Sequence, residues 1–160
     1  MPETNNRAAI VVFSGDMDKV FAALIIATGC AAAGMDTTLF FTFWGLNAIK
    51  TGAPIQARGL LGKMMGILNR GGIKRLNPSR FSFGGIGRVL FSKMMRDKNV
   101  ASLEDLLETA VALDVHLLAC KMSMDVLEIG RDDLIPEVEN VVGVATFVKE
   151  AANAGVQLFI

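Results

Sequence analysis

Cys120 is the residue on which chemistry is most readily built. It closes the apolar run Val115–Cys120, has Lys121 beside it, and stands directly before a segment of helical spacing. A thiol at a strand-to-helix junction next to a cation is biased toward thiolate, the nucleophilic form. Parallel α/β sheets gather their ligands at the carboxyl ends of strands. An inert cysteine near a core strand is the competing reading, and position alone leaves the two level. The neighbours narrow the chemistry. Cys120-Lys121-Met122-Ser123 has the C-x-x-S form of a one-thiol redox motif, but it lies after the third strand, where a thioredoxin fold would not carry it. A peroxidatic cysteine would have threonine three residues earlier, where Leu117 stands, and a rhodanese loop would follow its thiol with an arginine-bearing cradle. A lone thiol that accepts and passes on sulfur fits all three absences.

Other residues gather at the same expected edge. Ser14, Gly15, Asp16 and Asp18 follow the first apolar run, and Trp44 follows the second. A helix cap and turn also account for Gly15 and Asp16, while Trp44 reads equally as a pocket wall or a core edge. Met122 and Met124 flank Ser123 with soft thioethers suited to sulfur species, with core filling the expectation for at least one. Cys30 shares a small-residue face with Ala23, Ala27 and Gly34 and is expected to pack. His116 is the sole histidine; at strand spacing it lies about 13 Å from Cys120, too far to deprotonate it, and a satisfied core histidine is expected. Two cysteines and one histidine make no closed zinc site. Neither G-x-G-x-x-G nor a P-loop is present, so no metal and no nucleotide cofactor is expected.

The elements that must position these residues follow from apolar patterning. Ala8–Phe13, Thr37–Phe43, Val115–Cys120 and Val156–Ile160 read as strands. Met17–Met35, Ala101–Leu113 (capped by Ser102, with Asp105 three residues on), Met122–Ile129 and Glu137–Ala154 read as helices. Strands alternating with helices imply an α/β domain: a mostly parallel sheet with helices on both faces, flavodoxin-like or Rossmann-like in layering. With 160 residues, 52% of them hydrophobic and 20% charged, the chain makes one domain, neither disordered nor disulfide-framed. The polar start through Arg7 lacks a secretion signal, so a cytoplasmic setting is expected. From Val20 to Ile49 the only charge is Asp36, but the Ala-rich helix and following strand explain that stretch better than a membrane span.

Net charge is zero, yet residues 50–98 carry +10, residues 1–49 carry −2 and residues 99–160 carry −8. This basic block, with short helices expected at 59–68 and 86–95, reads as an insertion within the single 1–160 domain. It suits a docking surface or a lid over Cys120, with peripheral membrane contact as the alternative. Nucleic acid is not an expected partner, for want of stacking residues and motif.

Four segments, Phe13–Lys19, Phe41–Asn47, Ala119–Asp125 and Val142–Phe147, together resemble the DsrE/DsrF/DsrH-like sulfur-relay family. The likeness is to its subfamily with a basic mid-chain insertion, often labelled peroxiredoxin-like. The resemblance implies an α/β fold, a homo-oligomer (trimer or hexamer), and sulfane sulfur carried as a persulfide on the residue matching Cys120. It also implies TusA-like carriers and rhodanese-like donors as partners. A non-catalytic oligomeric scaffold is the alternative function, and a thiol peroxidase the third.

Overall fold

Short runs of apolar residues bounded by turn formers become strands buried on both faces, and the longer Ala/Leu-rich runs between them become helices. The computed structural model describes residues 6–55, 57 and 59–160. The chain runs β1 (Arg7–Val12), α1 (Met17–Ala32), β2 (Asp36–Phe41), α2 (Leu60–Leu68), α3 (Ile86–Asp97), α4 (Leu103–Ala112), β3 (His116–Cys120), α5 (Lys121–Val126), β4 (Asn140–Val142), α6 (Val144–Ala151) and β5 (Val156–Phe159). All five strands are parallel, in the order β4-β3-β2-β1-β5. This is the α/β layering the sequence implies.

The two faces of the sheet are unequal. Alternation along the strands sends Ile10, Val12, Leu39, Phe41, Leu117 and Ala119 to one side, where they join residues of α1 and α4 in the main core. The capping box is complete on α4: Ser102 Oγ accepts from the Asp105 amide, and the Asp105 carboxylate accepts from the Ser102 amide. Among the described residues, the opposite side holds a smaller cluster, Ala9, Phe40, Leu118 and Cys120 under Phe147 and Ala154, with Val11, Val142 and Ala151 partly buried against it. There Phe40 and Phe147 stack with ring centroids 4.5 Å apart.

Two expected elements are corrected. The helix expected over Glu137–Ala154 begins only at Val144. Before it, Asn140–Val142 pairs with Leu118–Cys120 as an edge strand, and Gly143 separates the two elements. Three residues are too few to show a period of two, so the longer helical pattern hid them. The second strand stops at Phe41, short of the expected Phe43; Phe43–Ile49 winds as a 3-10 segment, with Phe43 at a φ of +47°.

The basic insertion lies on the main-core side, its half-buried Phe91 and Met95 resting on that core. Its stem is held by buried polar contacts. Lys50, 3% exposed, donates from Nζ to the Asn69 carbonyl at 3.0 Å. Gly72 N–H donates to the Asn47 carbonyl, and Asn47 Nδ2 donates to Asn69 Oδ1. Burial lowers the Lys50 ammonium to about 8, against the opposing pull of Asp133. Gly52 and Gly72, both at positive φ, meet backbone to backbone: a Cβ on Gly72 would stand 3.2 Å from the Gly52 Cα. Among the described residues no helix is long and apolar enough to cross a membrane.

Candidate functional site

Because the strands are parallel, the segments leaving β1, β2 and β3 emerge along one edge of the sheet. Cys120 ends β3 and is also the N-cap residue of α5. It is 6% exposed and faces the thinly covered side with Phe40 and Phe147. The turn after β2 brings Thr42 to it: Thr42 Oγ1 and Ser123 Oγ are 2.7 Å apart in the interior. Burial pushes the thiol up. The Ser123 hydroxyl and amide, the Thr42 hydroxyl and the Met122 amide outweigh that effect and hold it below its ordinary value. These groups, rather than Lys121, favour the thiolate. Lys121 is turned into an ion pair with Asp125 one turn along α5.

The remaining site residues separate into three groups. Ser14, Gly15, Asp16 and Trp44 meet around a concavity of about 360 Å³, lined also by Phe13, Lys19 and Asn47. Ser14 Oγ accepts from the Asp16 amide and donates to Asp16 Oδ2, so a turn rather than a side-chain helix cap forms there. Gly15 allows the close approach, because a Cβ there would stand 2.5 Å from the Trp44 carbonyl oxygen. Phe13, next to this concavity, packs against Phe43 and Phe159 with ring centroids 5.7 and 5.6 Å apart, on a partly exposed aromatic surface. Asp18 instead serves the insertion: its carboxylate accepts from the Ser79 amide and hydroxyl, both at 2.7 Å. Those bonds outweigh burial and lower its pKa. Met122 is exposed while Met124 is buried in the main core, so the two thioethers do not line one pocket.

Two neighbours differ from expectation. His116 is not a core histidine. It is half-exposed at the amino end of the sheet, with Nδ1 2.9 Å from Glu139 Oε1 and Nε2 3.2 Å from Asp36 Oδ1. The Glu139 hydrogen bond, against burial and with help from Asp36, raises its pKa. A strand's first residue escapes the core even on an apolar strand. Cys30 is only half-buried, although Ala23 and Ala27 of the same face are buried; it lies nearer the carboxyl end of α1. Both cysteines are free thiols. Among the described residues no group of three His, Cys, Asp or Glu side chains is placed to hold a metal ion. Among the described residues, the hydrogen bonds joining the insertion to the rest of the chain reach Asn47, Met17, Asp18, Glu128 and Asp133, and none reaches Cys120.

Thr42 is the site residue the patterning concealed, since it reads as one more position of a β-branched strand. The signal for it is the Trp44-Gly45 turn, which ends the strand early and frees Thr42 to bend toward Ser123.

The five-stranded parallel α/β sheet agrees with the comparisons to known proteins. The chain belongs to the DsrE/DsrF/DrsH-like family, whose model matches residues 4–159. It is 38% identical to the uncharacterized protein YrkE of Bacillus subtilis (strain 168) over the full length of both chains. It is 28% identical to the sulfur carrier protein DsrE2 of Allochromatium vinosum, covering 96% of this chain and 98% of that one. The fold is also that of the E. coli ychN protein crystal structure, with a TM-score of 0.53 at 16% identity, covering 96% of this chain and 99% of that one.

Proposed function

We propose that the protein is a sulfur carrier that holds sulfane sulfur as a persulfide on Cys120. The observation that carries this reading is the convergence of two hydroxyls and two backbone amides on one thiol, with the net effect of lowering its pKa. The likeness to a sulfur carrier supports it. In the loading step the Cys120 thiolate attacks the outer sulfur of a donor persulfide. The new Sγ–S bond forms as the donor's S–S bond breaks, and the donor leaves as a thiolate. In unloading, an acceptor thiolate attacks the same outer sulfur and Cys120 departs as thiolate. Sulfane sulfur moves and no external oxidant or reductant is consumed. A low pKa serves both steps, raising the thiolate fraction in the first and improving the leaving group in the second.

Burial limits contact to donors shaped for the strand end, and the persulfide extends the reacting atom outward by one S–S bond of about 2.05 Å. Small sulfur-carrier proteins of the TusA kind and rhodanese-like donors fit that requirement. The Phe13–Phe43–Phe159 surface on this edge suits a partner or a second copy, in a trimer or hexamer. Mass spectrometry after incubation with a persulfide donor should find one added sulfur on Cys120 of the native protein and none on the Cys120→Ser variant. Equal loading of that variant, or loading of denatured protein as fast as native, would reject the proposal. Thiol-dependent peroxide turnover without sulfur loading would replace it with a peroxidase.

A further inference from the structure

We propose that the outer face of the insertion helices docks the protein on an anionic lipid surface. The inference concerns a region apart from Cys120 and holds whatever that thiol carries. In α2, Gly62 and Gly66 turn inward, toward Ala57 and Ile55. The outward side presents Leu60, Leu61, Met64, Ile67 and Leu68, with Leu60 87% and Leu68 76% exposed. In α3 the stripe Ile86, Val89, Leu90 and Met94, at helical spacing, also faces outward, while Gly87, Phe91 and Met95 lie on the inner side. Phe81, 75% exposed, and Phe83 extend the apolar surface into the turn before α3, their rings 6.0 Å apart. A water-soluble helix puts its apolar stripe inward; α3 carries the larger part of its own on the outside. An apolar surface of this extent marks an interaction site rather than ordinary scatter.

Charge selects the occupant. Lys63, Arg70, Arg80, Lys93, Arg96 and Lys98 are exposed around these side chains, and Asp97 is the block's only acid. Among the described residues of the block, Lys74 alone forms an ion pair, with Glu104 at 2.7 Å. A second copy presenting the same face would bring like charges together. Ile67 and Leu68 border a concavity beside Asn69 and Arg70, while Leu60, Leu61, Leu90, Phe81 and Phe83 are strongly exposed. Such projecting side chains suit a deformable acyl boundary better than a preformed protein pocket. Helices of nine and twelve residues, each with apolar and basic side chains on its own outer side, match elements that lie in the bilayer interface without crossing it.

The test is co-sedimentation of the full-length protein with vesicles of phosphatidylcholine alone or of phosphatidylcholine mixed with phosphatidylglycerol, at low and high salt. At low salt, binding should be roughly tenfold stronger to the anionic vesicles and should weaken with salt, as surface charge is screened. A Leu68→Ser/Leu90→Ser variant and a Lys63→Glu/Lys93→Glu variant should each lose about tenfold. Their substituted side chains are exposed, so unchanged thermal melts verify folding. Wild type that ignores anionic vesicles at low salt, or binds neutral ones equally well, overturns the proposal. Unchanged binding by both variants overturns it too. Light scattering that shows self-association of wild type, lost in Leu68→Ser/Leu90→Ser and without vesicle binding, assigns the face to a second copy instead.

Discussion

The two sides of the sheet are covered unequally, one thickly and one thinly. On one, α1, α4 and the insertion bury a large continuous core against Ile10, Leu39, Phe41 and Leu117. On the other, α6 covers a small cluster, and in that cluster stands Cys120. Adjacent residues of a strand face opposite sides, so a single chain segment contributes to both. If Cys120 carries sulfur as proposed, it does so on the thin side, apart from the interior that holds the fold.

Leu117 and Leu118 offer the sharpest way to break this contrast, being the same residue type one position apart. Leu117→Ala should cost about 4 kcal/mol and Leu118→Ala about 2 kcal/mol, measured by denaturant unfolding. Equal losses would mean that the sides do not differ in what they contribute.

The next effect is on reactivity. Thr42→Val and Ser123→Ala each remove a hydroxyl that lowers the Cys120 pKa, so the pH midpoint of Cys120 alkylation should move upward in both. Less thiolate would then be present at neutral pH. A midpoint that stays in place in both variants would show that the thin side merely encloses the sulfur.

The smallest effect concerns His116, at the opposite end of the same strand. Its folded pKa is raised by Glu139, with Asp36 adding to the pull. Its contribution to stability is therefore full below the ordinary histidine value near 6.5 and fades as pH rises through the higher folded value. For so exposed a group it should stay under about 1 kcal/mol. His116→Gln should flatten stability against pH across that window, as read from urea midpoints. An unchanged slope would assign the pH dependence elsewhere.

How much of this was legible in the sequence varies with the distance over which each feature is encoded. Strands β1, β3 and β5 and helices α1 and α4 are local patterns, and the reading finds them within a residue or a few. The Ser102–Asp105 cap is equally local. β4 was missed because its three residues take their identity from pairing with Leu118–Cys120, 22 residues earlier in the chain. The strand-to-helix junction at Cys120 was legible because its strand and helix are contiguous. Thr42 was not, because its meeting with Ser123 spans 81 positions. Lys121 was expected to favour the thiolate, yet Asp125, one helical turn on, claims its charge. Composition exposed the basic insertion, but only the fold shows that its apolar stripes point away from the core.

The meeting of Gly52 with Gly72 makes the intervening stretch a loop whose ends already touch. Joining Gly52 directly to Gly72 would excise α2 while leaving the chain on either side near its present path. The excision would also cut out Asn69, whose backbone and side chain accept from Lys50 and Asn47, so the splice leaves a buried ammonium without its carbonyl. A shortened chain would thus need an apolar replacement at position 50.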